Sequence, residues 1–274
     1  MSAPALLVIG RRSWLAREFL SRHGDLAPRA IRHDEVDEPA HYEGIASVVN
    51  FAFHPALHEG PYEAALDVDA RAARHAAGRG ARYVMVSSRR VYARAAQWNA
   101  VEDSDSSGLD AYGRNKARVE AGLRDLLGAR LTVLRAANVI GFEARPGRAR
   151  FAAYLQNQLR AHGRIRLTVS PETRRDLVPV AFFCAVLRAA ILDGRGGTFN
   201  VGAGHATRIG DAAAWLIEGF GSGTVEAEGA AVSDEFLLDS SRLHREFGLA
   251  CAAGAVAETL REAGTRLAAG ESAG

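Results

Sequence analysis

Tyr112 and Lys116 stand four residues apart in Tyr112-Gly113-Arg114-Asn115-Lys116. Of the 34 lysines and arginines in this 274-residue chain, Lys116 is the one lysine. Guanidinium and ammonium differ in shape, hydration and donor geometry, so a chain written in arginine keeps lysine where arginine cannot substitute. Coincidence in an arginine-rich composition is the alternative. Residues four apart share one face of a helix, which sets the ammonium beside the phenol. A positive charge there favours the phenolate and suits the group to exchange a proton with a carbonyl or alkoxide. Such a pair is a proton relay.

A relay needs a rigid frame, and the apolar pattern supplies one. Leu6 to Ile9 reads as a buried strand, Gly10 as a turn, and Trp14 to His23 as a helix with Leu15, Phe19 and Leu20 inward. Further strands are expected at Arg29-Ile31, Ser47-Phe51, Tyr83-Val86 and Leu131-Leu134, with helices over Tyr62-Ala77 and Ala111-Leu127. Strands alternating with helices imply an α/β fold with a Rossmann-type, doubly wound parallel sheet. After Gly141 the pattern changes to an arginine-rich loop, a helix near Phe151-His162 and a short strand around Arg166-Thr168. The reading is a dinucleotide-binding domain over 1–141 with returning segments at about 176–202. A smaller substrate-binding lobe follows over about 142–175 and 203–267, and a frayed tail over 268–274.

With 48% hydrophobic and 24% charged residues the composition is that of a globular protein with one sizeable core. The net charge of +2 is dispersed, which argues against nucleic acid or an anionic membrane as partner. Cys184 and Cys251 lie in apolar contexts as buried thiols, and no spacing suggests a metal site. No apolar run approaches the ~20 residues that span a bilayer, and no basic leader precedes the first strand, so the cytoplasm is the expected compartment.

The first turn, Gly10-Arg11-Arg12-Ser13-Trp14-Leu15-Ala16, is placed to present backbone N–H groups and a helix N-terminus to a pyrophosphate. It keeps one glycine of the usual three and puts small Ser13 and Ala16 at the others, with Ser13 also able to cap the helix. At the end of the second strand, where a carboxylate would hold the ribose hydroxyls of NAD, stands Arg32 followed by His33. An arginine there pairs with a 2′-phosphate, which favours NADP(H) over NAD(H). The alternative is that Arg11, Arg12 and Arg32 are solvated and Asp34 or Glu35 turns back to the ribose.

Further segments complete a pattern: Val86-Ser87-Ser88-Arg89-Arg90-Val91-Tyr92, Leu134-Arg135-Ala136-Ala137-Asn138-Val139-Ile140-Gly141, Arg175-Asp176-Leu177-Val178 and Phe199-Asn200-Val201-Gly202. With Tyr112 and Lys116, these resemble the extended short-chain dehydrogenase/reductase family over nearly the whole chain, in its NAD-dependent epimerase/dehydratase branch acting on nucleotide sugars. The resemblance implies that Ser88 hydrogen-bonds the substrate oxygen and that Tyr112 gives or takes its proton. It further implies that Lys116 steadies the phenolate and holds the nicotinamide ribose. A plain strand-end serine is the other reading of Ser88. The stretch Asn50-Phe51-Ala52-Phe53-His54 resembles the third-strand segment lying along the cofactor, with Phe51, Ala52 and Phe53 at it, and Val86, Ala136 and Val139 are implied beside it. His54 could face the substrate, although a lone histidine is more often structural. Asn138 and Arg175 stand where the family meets the sugar diphosphate, with an ion pair to Asp176 as the alternative for Arg175.

Departures narrow the chemistry. Arg89 and Arg90 follow Ser88 where family dehydratases carry an acidic pair, so 4,6-dehydration is not expected. Arg90 and Glu143 stand where epimerase-reductases of the GDP-fucose synthase kind carry cysteine and histidine. A nucleotide-sugar 4-ketoreductase is favoured, resembling the dTDP-4-dehydrorhamnose reductase type. The alternatives are a 4-epimerase with tightly held NAD and a non-catalytic NAD(P)-binding sensor or scaffold. Other small carbonyl or alcohol substrates stay open, since specificity is expected in loops 142–150 and 170–174. The family resemblance also implies a homodimer packed through the Tyr112 helix, using Ala111, Ala117, Ala121 and Leu123.

Overall fold

The computed structural model describes residues 5–143 and 150–271. Its strands in chain order are β1 (Leu6–Ile9), β2 (Arg29–Ile31), β3 (Ser47–Asn50), β4 (Arg82–Ser88), β5 (Trp98–Ala100), β6 (Leu131–Ala136), β7 (Asn138–Ile140), β8 (Arg164–Leu167), β9 (Arg174–Pro179), β10 (Gly197–Val201), β11 (Ala206–Arg208), β12 (Thr224–Ala227) and β13 (Leu237–Leu238). The α-helices are α1 (Trp14–Arg22), α2 (Val68–Gly78), α3 (Ala111–Leu127), α4 (Phe151–His162), α5 (Val180–Asp193), α6 (Ile209–Phe220), α7 (Ser241–Phe247) and α8 (Ala255–Ala268). The chain divides into two compact units.

The first unit comprises Met1–Ala136, Phe183–Val201 and Ser240–Leu249. Its sheet has six strands in the order β10-β6-β4-β3-β1-β2, every neighbouring pair parallel. β1, β3 and β6 are buried throughout, as inner strands of a parallel sheet are, with Ser47, Asn50, Thr132 and Arg135 among their apolar residues. Strand order reverses between β1 and β3, and in such sheets the crevice at that reversal, beyond the carboxyl ends of the strands, is where ligands bind. One face is covered by α2 and α3, whose Ala72, Ala73, Ala76, Val119, Leu123 and Leu127 follow helical spacing into the core under the sheet.

Two expectations change here. The second helix begins at Val68 rather than Tyr62, because Asp67 caps it: its carboxylate accepts from Ala70 N at 2.9 Å and from the Tyr62 hydroxyl at 2.8 Å. Leu123, expected at a dimer face, belongs to the core of its own unit. Of the other three residues, Ala111 and Ala117 are half-buried and Ala121 is exposed.

The second unit comprises Ala137–Phe182, Gly202–Asp239 and Ala250–Gly274. β9 pairs antiparallel with β11 and parallel with β7, while β8 and β12 form a separate parallel pair. Leu155 and Leu159 of α4, Leu216 of α6 and Leu267 of α8 share a core with Ile165 and Leu167 of β8. α7, expected in the smaller lobe, lies in the first unit because Phe247 packs edge-on against Phe199 of β10 at 5.0 Å and Arg242 lies 4.8 Å over the same ring. Most of the expected specificity loop, residues 144–149, lies outside the described residues, as do 272–274 of the tail; α8 itself runs to Ala268. Among the described residues no helix is long and apolar enough to cross a membrane.

Candidate active site

β1 ends in a turn that only glycine fits. Gly10 has φ +84°, and a Cβ on it would stand 3.0 Å from Ala52 N and 3.1 Å from Ala52 Cβ, at the exit of β3. Gly10 N and Arg11 N both donate to Ile31 O at 3.0 Å, and Ser13 N donates to Gly10 O at 2.8 Å, which fixes the turn across the strand reversal. Ser13 occupies the cap position of α1, but its hydroxyl makes no cap bond. Arg11 and Arg12 are exposed, Leu15 is half-buried, and Trp14 is packed inward instead of facing the turn's outer side. Arg32 spends its fork on Asp34, with Nε–Oδ1 at 2.8 Å and Nη2–Oδ2 at 2.7 Å, while its N–H donates to Glu35 at 2.6 Å.

β3 delivers Asn50 into the interior. Its amide N–H groups donate to Ala52 O at 3.0 Å and Asp69 Oδ1 at 2.8 Å, and its Oδ1 accepts from Ala52 N at 2.8 Å, so one side chain clamps the segment leading to Phe53. Phe53 meets Tyr112 edge-on at 5.1 Å, and its ring lies 4.5 Å from the Lys116 ammonium. His54 is occupied in local structure: its Nδ1 accepts from Ala56 N at 3.3 Å, capping the turn Pro55–His58. The histidine against the tyrosine is His58, stacked on the Tyr112 ring at 5.0 Å and 12°. Nothing in Pro55-Ala56-Leu57-His58 marked it.

Ser87 and Ser88 close β4, and alternation along a strand sends their side chains to opposite faces. Ser87 is buried on Glu120 at 2.5 Å. Glu120 also receives Arg135, with Nη2 at 2.7 Å, and Arg135 Nη1 donates to Glu102 O at 2.8 Å. Burial works against the Arg135 charge, but the hydrogen-bonded Glu120 carboxylate outweighs it and holds the guanidinium above its ordinary range. Ser88 is half-buried, and its hydroxyl accepts from Arg90 N at 3.2 Å.

The turn after Ser88 is locked to the start of α3. Gly108 N donates to Val91 O at 2.9 Å and Leu109 N to Arg90 O at 2.8 Å. Asp110 caps α3 by accepting from Gly113 N at 3.0 Å, and its other oxygen pairs with Arg90. The helix comes so close that a Cβ on Gly113 would fall 1.8 Å from Arg90 O. The glycine following Tyr112 therefore sets how near the tyrosine stands to the Ser88 turn. One helical turn on, Lys116 is buried, its ammonium donating to Val86 O at 3.1 Å and lying 3.5 Å from Asp69 Oδ2. Burial disfavours the ammonium most strongly, but Asp69, Tyr112 and Asp67 together outweigh it, Asp69 the largest of the three, and Lys116 is held above its ordinary range. Val86 thus contributes its carbonyl to the lysine.

Ala136, buried at the end of β6, lies in register with Ser88. The remaining predicted residues belong to the second unit. Asn138 and Val139 are half-buried in β7, in register with Leu177 and Val178 of β9. Arg175 pairs with Asp234, through Nε to the backbone O at 3.3 Å and Nη2 to Oδ2 at 3.6 Å, and lies 5.3 Å over the Phe151 ring. Burial pulls its guanidinium down from the ordinary range, and Asp234 opposes that. The neighbouring Asp176 is turned away into backbone, accepting from Ala203 N at 2.8 Å and Leu238 N at 3.1 Å. Among the described residues, no group of three or more His, Cys, Asp or Glu is placed to hold a metal ion.

His58, Asp69 and Gly113 carry no motif that marks them in the sequence. In sequence Asp69 is an ordinary acidic residue inside the expected helix Tyr62-Ala77, since its partners are 14 to 47 residues away in the chain.

No family model and no curated protein matches the chain. Solved structures match its fold. MoeE5 in complex with UDP-glucuronic acid and NAD superposes with a TM-score of 0.78 at 19% identity, over 96% of this chain and 99% of that one. A UDP-N-acetylglucosamine 4-epimerase from Methanobrevibacter ruminantium M1, in complex with UDP-N-acetylmuramic acid, gives 0.85 at 14% identity over 99% and 100%. RMD from Pseudomonas aeruginosa, complexed with NADPH, gives 0.77 at 16% identity over 98% and 100%. These likenesses show the fold alone, over 96% to 99% of this chain.

Proposed function

We propose that this chain is a cytoplasmic enzyme of the extended short-chain dehydrogenase/reductase type, moving hydride at a carbinol or ketone carbon of a nucleotide-linked sugar. The observation that carries the reading is the seating of Tyr112 and Lys116 one turn apart on α3, with that helix locked through Gly113 to the turn that follows Ser88. The Gly10 turn fits a dinucleotide: it lies at the reversal of the sheet, packed too closely on Ala52 for a Cβ, and is flanked by two exposed arginines. A bound nicotinamide supplies or takes the hydride. The chain's own residues handle the proton. In the reducing direction Ser88 hydrogen-bonds the substrate oxygen, Tyr112 donates its proton to it, and the Lys116 charge stabilises the phenolate left behind. In the oxidising direction the same groups act in reverse.

Arg32 alone favours NADP(H), yet its fork is filled by Asp34, the kind of carboxylate that accepts from a free ribose hydroxyl. That pair supports NAD(H), and with it a 4-epimerase that retains its cofactor, over the 4-ketoreductase expected from the arginines. Native mass spectrometry of gently purified protein, followed by titration with NADH and NADPH, decides between them. We expect retained or preferentially bound NAD(H). Preference for NADPH restores the ketoreductase, and failure to bind either cofactor removes the enzyme reading.

Arg175 on β9 and Asn138 on β7 fit the diphosphate and sugar of such a substrate, the first through a half-buried cation. A homodimer through α3 rests on Ala111, Ala117 and Ala121 without Leu123. Light scattering at micromolar concentration is expected to give twice the mass of one chain, and a monomer mass removes the interface.

A further inference from the structure

Lys116 is 3% exposed. An ammonium taken out of water without a counterion loses its proton several units below its ordinary value, by up to about 3–5. Asp69, in the first turn of α2 and 1% exposed, supplies that counterion at 3.5 Å. Its other oxygen accepts from Asn50 Nδ2 at 2.8 Å and from the Tyr83 hydroxyl at 2.9 Å. Because Asn50 also clamps the Ala52 peptide on both sides, a single carboxylate joins the exit of β3, the interior of β4 and the lysine of α3.

We propose that Asp69 is a positioning residue for Lys116, keeping its ammonium charged and fixed one turn from Tyr112, and acting on the reaction through that lysine. The inference rests on the relay reading given above. Of the other charged and titratable groups nearby, Tyr112 and Asp67 also favour the Lys116 charge, each less than Asp69. Asp67 accepts from Tyr62 and Ala70, Arg90 pairs with Asp110, and His58 stacks on the far group, Tyr112. Val86 contributes a neutral carbonyl.

Asp69→Asn removes the charge and keeps the oxygen that accepts from Asn50 and Tyr83. A chain with one lysine gives one resonance when grown on ¹³C,¹⁵N-lysine, so the titration of Lys116 can be followed directly. In the parent protein it is expected to stay protonated past the ordinary lysine value of about 10.4. In Asp69→Asn its midpoint is expected to fall by about two units or more. Turnover should then acquire an alkaline limb at the new midpoint, because above it a neutral lysine no longer stabilises the phenolate, while activity persists below it. Tyr83→Phe, which retains the carboxylate, is expected to leave the lysine within about half a unit of the parent. A parent midpoint below about 9, readable without any variant, overturns the proposal, as does an unchanged midpoint in Asp69→Asn. The resonance reports the coupling whether or not a sugar is turned over. A shifted midpoint in a protein inactive on nucleotide sugars therefore removes the relay reading and leaves the Asp69–Lys116 coupling standing.

Discussion

Tyr112→Phe is expected to lower turnover by about 10²–10⁴-fold, the usual share of a positioned general acid or base. The substitution deletes one hydroxyl and leaves the ring, which is held by His58 stacked at 5.0 Å and by Phe53 edge-on at 5.1 Å. Helix α3 and its cap at Asp110 do not involve the phenol, so folding and cofactor binding should survive. Single-turnover hydride transfer, followed by nicotinamide absorbance alongside a cofactor titration, separates the two. Unimpaired hydride transfer in the variant would mean that the proton travels by another route. An unchanged biological role without any turnover would favour a binding or sensing protein built on the same fold.

The second large effect concerns stability. Glu120→Ala is expected to destabilise the fold by about 3–5 kcal/mol, because it strips the Arg135 guanidinium of its carboxylate and leaves an uncompensated charge in the interior. Arg135 is 4% exposed and would retain its bond to Glu102 O at 2.8 Å. Ser87, whose hydroxyl bonds Glu120, would lose its acceptor too. Denaturant unfolding at neutral pH measures the difference, and a loss under about 1 kcal/mol would show water reaching the guanidinium in the variant. Because Ser87 adjoins Ser88, the same network braces the end of β4, and stability and site geometry are coupled there through one peptide.

The inner strands were legible because β1, β3 and β6 are short, buried runs rich in apolar residues, whereas β2 has only Ile31 buried and β10 is buried in part. Leu6–Ile9, Arg29–Ile31 and the helix Ala111–Leu127 fall where the pattern puts them. The start of α2 did not, since Ala- and Leu-rich residues before Asp67 read as helix until the capping carboxylate is seen to close the helix at Val68. Tyr112 and Lys116 were visible through residue type and a spacing of one helical turn. His58 and Asp69 were hidden because their roles come from chain crossings: His58 meets Tyr112 across 54 residues and Asp69 meets Lys116 across 47. Arg32 shows the converse limit. Its type pointed to phosphate, and a neighbour two residues along claimed the fork.

Burying the one lysine has a consequence at high pH. The basic side chains left to solvent are guanidinium and imidazole, and guanidinium keeps its proton beyond pH 12. Alkali therefore does not strip the surface of its cations. It acts on the interior. Burial holds the Tyr42, Tyr83 and Tyr92 phenols above their ordinary range, and Asp69, with Tyr112 and Asp67, holds Lys116 above its own. The unfolded chain releases those protons near pH 10 while the folded one keeps them, so their contribution is whole below about 10 and drains away above it. The Tyr62 phenol and the buried Cys184 thiol, each pushed up to about 12, add to that alkaline loss.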